Sequence, residues 1–196
     1  MKDFLKPSLV LFGTGLVSGL LLAFVFSAAK PVIDKNELKE KEAARLEVFP
    51  SAEPIELKEH KFTDNHKDYR FFAVHNPAGI LQGYIIETES AGYNPGILII
   101  AGFNKEGLLT GAKILKDNET PGLGKKLHDK NFRSQFYGMN IKTLPLSKAE
   151  FNSAYNNGKK LDAISGATLS SLGLTRGIRE TGEKIFELVK SPEIKK

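Results

Sequence analysis

Small residues and two hydroxyls lie immediately before the predicted last helix of the chain, in the run Asp162-Ala163-Ile164-Ser165-Gly166-Ala167-Thr168. A helix N-terminus has unpaired N–H groups and a partial positive charge, and both favour a phosphate group. Gly166 and Ala167 would let the backbone approach such a group closely. The hydroxyl of Thr168 could itself become a phosphoester. This run therefore predicts a site that binds a phosphate-bearing ligand, with or without a covalent bond.

The helix that would position this run is predicted from about Ser170 to Lys190. Ile178, Ile185, Phe186 and Val189 recur at spacings of three, four and seven, the period of one helical face. The dipole of such a helix contributes roughly 0.3–1 kcal/mol, whereas micromolar retention of a ligand needs about 8 kcal/mol. A ligand that stays bound would therefore need a stronger interaction.

The same run has a simpler interpretation, since small residues also precede many helices, with Ser165 or Thr168 acting as the N-cap. A second stretch, Glu119-Thr120-Pro121-Gly122-Leu123-Gly124, favours the ligand site. Its proline would stiffen the loop, and its two glycines allow unusual backbone angles, which suits a wall beside a planar ring. The alternative for this stretch is a plain turn into the next helix.

Taken together, the two stretches resemble the signature loops of the FMN-binding domain shared by the G subunit of the Rnf complex and the C subunit of the Nqr complex. They occur in the family's order and at about its separation. The resemblance covers most of the chain. It implies that Thr168 carries FMN covalently through its phosphate. It also implies a dedicated flavin transferase, which reads Asp162 and the Ser-Gly-Ala-Thr run.

The resemblance also implies that the earlier loop contacts the isoalloxazine ring, with Glu119 and Thr120 making polar contacts. Both loops would thus contribute cofactor-binding residues. These residues are Asp162, Ser165, Gly166, Ala167, Thr168, Leu169, Glu119, Thr120, Pro121, Gly122, Leu123 and Gly124.

Composition limits the remaining chemistry. With 196 residues, 41% of them hydrophobic, the chain can form one domain and an appendage. It has no cysteine, which excludes disulfides, cysteine-ligated metals and thiol catalysis. Its net charge of +5 is spread along the chain, which argues against nucleic-acid binding, and its four histidines show no ligand-like spacing. We find no paired carboxylates or nucleophile–histidine arrangement, so we expect a redox subunit rather than an enzyme on its own.

An apolar segment near the start predicts a membrane anchor within residues 1–30. No charged residue lies between Lys6 and Lys30, and a helix of roughly 23 residues reaches about 35 Å, enough to cross the hydrocarbon core. A cleaved signal peptide is the alternative, because Ser27-Ala28-Ala29 could be a cleavage site. The short basic N-terminus, with Lys2, favours a cytoplasmic N-terminus and a main domain on the extracytosolic (periplasmic) side.

Residues 31–50 are predicted to be a charged stalk. Asp34 can cap a helix that runs to Val48, Glu37 occupies the capping-box position, and Pro50 would end the helix.

Residues 51–196 are predicted to form an extracytosolic domain of the α+β class, with an antiparallel sheet and flanking helices. Short runs of strand-forming residues separated by turn signals support this class. The predicted strands are Arg70 to Val74, Ile80 to Thr88, Ile97 to Phe103 and Leu108 to Leu115.

A local basic group follows the second signature loop, that of residues 119–124, and consists of Lys125, Lys126, Lys130 and Arg133. We expect it to be a solvated helix face, although it could also steer an acidic partner or offset flavin charge. Phe132, Phe136 and Tyr137 would anchor this segment to the core.

The resemblance thus implies a membrane-anchored electron-transfer subunit of an Rnf-type ion-translocating ferredoxin:NAD oxidoreductase. It would lie in the inner (plasma) membrane with other membrane subunits of the complex as partners. One alternative is an FMN-domain protein of another extracytosolic respiratory system, such as an Nqr-like system, a reductase donor or a regulator. The other is a non-flavin, membrane-anchored interaction module, in which Thr168 merely starts a helix.

Overall fold

The computed structural model describes residues 2–51, 54–64 and 67–190. Residue 1 of the predicted anchor and residues 52–53, 65–66 and 191–196 of the predicted domain lie outside the described residues. The chain divides into two compact units, one up to Glu42 and the other from Ala43 onward.

The first helix, α1, spans Lys2–Val48. It is long and apolar enough to cross a membrane, and its apolar stretch is not buried. Leu9, Phe12 and Leu22 are among its exposed side chains, and continuous exposed apolar surface of this kind is unfavourable in water. By length and composition, α1 can therefore serve as the predicted membrane anchor.

α1 continues through the segment predicted as a separate stalk helix. Pro31 lies inside it, and no helix begins at Asp34, so the predicted cap there is wrong. The Asp34 carboxylate instead accepts a hydrogen bond of 3.3 Å from Lys30, one turn earlier. α1 ends two residues before Pro50, as predicted, because the residue before a proline disfavours the helical conformation.

A five-stranded antiparallel sheet is the centre of the domain, and each strand pairs with the next one along the chain. The strands are β1 (Glu56–Asp64), β2 (Lys67–His75), β3 (Leu81–Ala91), β4 (Pro95–Asn104) and β5 (Leu109–Lys116). The four predicted strands are confirmed within a few residues. β1 was not predicted because it is a mostly exposed edge strand in which five of nine residues are charged.

Helices follow the sheet, as expected for the α+β class. Two short 3₁₀ helices, Gly124–His128 and Ile141–Thr143, accompany α2 (Lys130–Ser134), α3 (Lys148–Ser153) and α4 (Thr168–Lys190). A small hairpin of β6 (Tyr155–Asn156) and β7 (Lys159–Lys160) precedes α4.

The backbone of α4 lies directly against β3. A Cβ at Gly173 would lie 2.8 Å from the carbonyl oxygen of Ala91, and one at Gly177 would lie 2.6 Å from the Cβ of Ser90. Larger residues at these two positions would push the helix away from the strand. This contact fixes the N-terminal end of α4 beside the loop that follows β3.

The end of α1 covers the opposite face of the sheet, where Val48 and Phe49 join a second core cluster with Ile85 and Ile100. Close by, the Arg45 guanidinium donates from Nε at 2.9 Å to the largely buried carboxylate of Glu87. Both faces of the sheet are therefore covered within the unit that starts at Ala43.

The predicted solvated basic face is correct for three residues and wrong for the fourth. Lys125, Lys126 and Lys130 are exposed, but Arg133 is buried. Its guanidinium donates to the backbone carbonyls of Ala112 and His128. Arg133 therefore ties its helix to β5. The aromatic anchor is confirmed, because the fully buried Phe136 contacts Phe132 and Phe151 edge-to-face.

Candidate functional site

The two signature loops meet at one cavity of about 560 Å³, a size typical of small-molecule and cofactor sites. Three separate segments form its wall: the loop after β3, the loop after β5, and the first turn of α4 with the turn before it. The lining residues are Tyr93, Glu119, Thr120, Leu123, Gly124, Gly166, Ala167, Thr168, Leu169 and Ser170.

Eight of the twelve predicted site residues therefore line the cavity, and four do not. Pro121 and Gly122 lie in the same loop but away from the cavity wall, with Gly122 in the left-handed region at φ 76°. Ser165 is exposed beside the turn. Asp162 is also exposed, and its backbone N–H and carbonyl bond the side-chain amide of Gln135 at 2.8 and 3.0 Å.

Asp162 lines a different cavity, of about 550 Å³, together with Lys159 and Lys160. The structure therefore separates this aspartate from the cavity that Thr168 lines.

The turn before α4 is held from inside the helix by Ser171. Its buried hydroxyl accepts a hydrogen bond from the Ile164 N–H at 2.9 Å and donates one to the Ala167 carbonyl at 3.0 Å. Gly166 completes the turn at φ 75°, a conformation that favours glycine. Ser171 thus fixes the position from which Thr168 begins the helix.

Thr168 is not a capping residue, because its hydroxyl has no hydrogen-bond partner among residues 2–51, 54–64 and 67–190. The Ser171 N–H bonds the Ala167 carbonyl at 3.0 Å. The N–H groups of Thr168, Leu169 and Ser170 therefore precede the first such bond and are the free donors of a helix start. The cavity thus receives a partner-free hydroxyl together with the positive end of a helix dipole.

Glu119 joins the three segments of the cavity wall. Its side chain is only 3% exposed. One carboxylate oxygen accepts a hydrogen bond from the Ser170 hydroxyl at 2.6 Å, and the other accepts one from the Asn94 N–H at 3.0 Å. The loop after β3, the loop after β5 and the first turn of α4 are thereby tied together.

Two glycines enclose the Glu119 carboxylate. A Cβ at Gly92 would lie 2.6 Å from Oε1, and a Cβ at Gly124 would lie 2.7 Å from both the Glu119 Cβ and the Ser170 hydroxyl. These positions have no room for a side chain unless Glu119 moves. The close approach explains why a glycine occupies the last position of the second signature loop.

A second carboxylate holds the start of this loop. Asp117, whose side chain is 2% exposed, accepts from the Glu119 N–H at 2.8 Å and lies 2.6 Å from His128 Nε2. Burial raises the pKa of Asp117, but the hydrogen bonds from His128 and the Glu119 N–H, with the Lys125 charge, outweigh this and lower the pKa below its usual value. Asp117 therefore remains a carboxylate at neutral pH.

Sequence reasoning missed Tyr93, Asn94 and Ser170. Tyr93 and Asn94 belong to a loop between two predicted strands and are not among the predicted site residues, and Asn94 meets Glu119 across 25 positions of sequence. Ser170 was counted as the first residue of a helix, without a contact. The available signals were Gly92 beside Tyr93 and the position of Ser170 in the first turn of α4. Neither signal indicates which residue the side chain contacts.

The residues fit a ligand with a phosphate and a planar ring. The helix start offers N–H donors to a phosphate, and the exposed side chains of Tyr93, Leu123 and Leu169 offer apolar surface at the rim. Gly166, which is exposed at the cavity, keeps the backbone accessible there. The cavity volume falls within the range of cofactor sites.

Comparison with known proteins agrees with this geometry. Residues 92–182 match the family model of the FMN-binding domain. This segment includes both signature loops and every residue that lines the cavity. The match confirms the prediction that the chain carries an FMN-binding domain.

Relatives of similar length extend the likeness over most of the chain. The G subunit of an ion-translocating oxidoreductase complex from Methanosarcina acetivorans is 27% identical, with 87% of this chain and 88% of the relative covered. The G subunit of a proton-translocating ferredoxin:NAD(+) oxidoreductase complex from Clostridium ljungdahlii is 25% identical (88% and 86%). The G subunit of the Na(+)-translocating complex from Acetobacterium woodii is 28% identical (90% and 89%).

Among solved structures, NqrC of Shewanella oneidensis has a similar fold. The TM-score is 0.50 at 18% identity, and 74% of each chain is covered. This likeness confirms the predicted fold, and the relatives above confirm the family resemblance that the two loops indicated.

A substitution at Gly124 tests the enclosure of Glu119. Gly124→Ala should destabilise the domain by about 1–3 kcal/mol, because the new methyl group overlaps Glu119 and Ser170. Urea unfolding of the detergent-solubilised chain measures this loss. Glu119→Ala together with Gly124→Ala should lose less than the sum of the single variants, since the truncated side chain makes room. Strict additivity would contradict the enclosure.

Proposed function

We propose that this chain, whose residues 92–182 match the FMN-binding domain family, is a membrane-anchored electron-transfer subunit with FMN bound covalently to Thr168. Its place is in an Rnf-type ion-translocating ferredoxin:NAD oxidoreductase complex. The observation that carries the proposal is the partner-free hydroxyl of Thr168 in a cofactor-sized cavity beside the loop of Glu119. The G-subunit relatives, similar over most of their length, support the choice of complex.

Attachment is a phosphoryl transfer onto Thr168. The bond that forms joins Thr168 Oγ1 to the phosphorus of FMN, and the hydroxyl loses its proton. The bond that breaks joins that phosphorus to a leaving group, so the donor must carry an activated phosphate, as a flavin dinucleotide does. The free N–H groups of the first turn of α4 then donate to the phosphate oxygens. When bound, FMN supplies reversible electron transfer.

The remaining lining residues hold and shield the ring. Tyr93, Leu123 and Leu169 would cover the ring with apolar surface, and Thr120 and Glu119 would supply polar groups at the wall. The helix dipole adds only about 0.3–1 kcal/mol, so the covalent bond and the contacts with the ring would supply most of the retention. Pro121 and Gly122 shape the loop rather than contact the ring.

A flavin transferase performs the attachment and recognises the exposed part of the motif. Asp162, Ser165 and Gly166 are all exposed, so another protein can reach them. Asp162 lies outside the cavity of Thr168, which suits a residue that the transferase reads rather than one that holds the product.

Replacement of Thr168 tests the attachment. Wild-type protein co-expressed with a flavin transferase should give a fluorescent band on a denaturing gel, with the mass of one FMN less one water added to the peptide that contains Thr168. Thr168→Val should lose band and mass completely, because no oxygen remains to form the ester. Thr120→Val removes the other threonine hydroxyl of the cavity and should keep the label. An unlabelled wild type would favour the non-flavin interaction module.

The domain lies on the extracytosolic side, with the N-terminus in the cytoplasm, since short basic segments before a membrane helix tend to stay inside. The chain has no cysteine, so single-cysteine variants report topology directly. Lys126→Cys, at an exposed position of the domain, should react with a membrane-impermeant thiol reagent in intact spheroplasts. Lys2→Cys should react only after lysis. The opposite pattern would reverse the orientation.

Partner proteins identify the complex. The full chain, extracted in mild detergent from its native membrane, should co-purify with the other membrane subunits of an Rnf-type complex. Mass spectrometry of the bound proteins makes this measurement. Subunits of a different respiratory system would replace this assignment with the other FMN-carrying function, and the flavin on Thr168 would be unaffected.

A further inference from the structure

Among the described residues that line the cavity, Glu119 is the only carboxylate, and none is a lysine, arginine or histidine. The side chain is nearly fully buried, at 3% exposure. Within residues 54–64 and 67–190 of the domain, Glu119 forms no ion pair. Lys125, which follows the loop, pairs with Asp117 at 3.6 Å rather than with Glu119. The wall therefore carries one negative charge without a compensating cation.

Both oxygens of this carboxylate act as acceptors. The Asn94 N–H can only donate, and the Ser170 hydroxyl bonds the second oxygen at 2.6 Å. Two accepting oxygens are the arrangement of an ionised carboxyl group. The backbones of Gly92 and Gly124 lie against the group, and its two hydrogen bonds hold it between them. The charge is thus fixed in place.

We propose that Glu119 is a fixed negative charge that lowers the reduction potential of the flavin held in this cavity. The inference rests on the proposed function. FMN takes up two electrons and one proton to become its anionic reduced form, so reduction adds one negative charge to the ring system. A buried charge of the same sign disfavours this product, because salt and water screen it less than they screen a surface charge.

The structure also offers a substitution that removes the charge and keeps the shape. In Glu119→Gln the amide oxygen can accept from the Asn94 N–H, while the amide N–H₂ can donate to the Ser170 hydroxyl. The three segments of the wall would remain tied together. Glu106→Gln is the matched control, because Glu106 is exposed, lines a different cavity, and the net charge changes equally.

The experiment is a reductive titration of the flavin-loaded, detergent-solubilised full chain with dithionite and mediator dyes, followed by absorbance. Glu119→Gln should shift the midpoint potential to a more positive value than wild type, whereas Glu106→Gln should leave it unchanged. Ser170→Ala, which keeps the charge but removes one hydrogen bond, should shift the potential less than Glu119→Gln. An equal shift in Ser170→Ala would assign the effect to position rather than charge and overturn the proposal.

Other outcomes separate this inference from the function on which it rests. A wild-type chain that takes up no flavin overturns the proposed function. Loaded wild type and loaded Glu119→Gln with the same potential overturn the inference alone. Glu119→Ala and Glu119→Met serve if the glutamine variant does not load. If every neutral variant is folded by circular dichroism yet remains unloaded, Glu119 is required for attachment, and the charge proposal is rejected.

Discussion

The close contact between the backbones of α4 and β3 is the constraint on which the site depends. Gly173 and Gly177 leave no side chain between the helix and the strand, so the start of α4 comes to lie beside the loop that follows β3. The antiparallel order β3-β4-β5 then brings the end of β5 to the same place. Three segments distant in sequence thus converge because one helix lies unusually close to one strand.

Where the three segments converge, Glu119 accepts hydrogen bonds from donors that would otherwise be unpaired, but this requires the burial of a carboxylate. Loop backbone and a helix start leave unpaired donors in a partly buried place, and an unpaired buried donor costs roughly 1–3 kcal/mol. Glu119 satisfies the Asn94 N–H and the Ser170 hydroxyl at once. Burying a carboxylate is itself costly, and its two hydrogen bonds offset that cost only in part. A buried carboxylate in the wall of the cavity suits a role in tuning a ligand as well as in holding the loops.

Sequence reasoning recovered the fold class, four of the five strands of the main sheet and the last helix, because apolar periodicity and turn residues are local signals. It missed β1, where charged residues hide an exposed edge strand, and it predicted a cap at Asp34 because a capping motif carries no information on whether a helix has already begun. The sequence predicts Arg133 in solvent because it does not show that the carbonyls of Ala112 and His128 accept hydrogen bonds from its guanidinium. The error at Arg133 concerns a contact partner, Ala112, that is distant in the chain. The error at Asp34 concerns a helix that had begun many residues earlier.

For the site too, the sequence predicted some features and not others. The two loops were recognisable as motifs, yet motif membership did not distinguish residues that line the cavity from those that shape or flank it. Asp162 belongs to the run by sequence and to another cavity by position. Ser171, outside every predicted set, holds the turn that presents Thr168. Within one motif, Gly166, Ala167 and Thr168 line the cavity whereas Asp162 is exposed to solvent, so the two groups of residues have different roles. Under the proposed attachment to Thr168, the lining residues would contact the bound group permanently, whereas Asp162 would need to be reachable only while the bond is made.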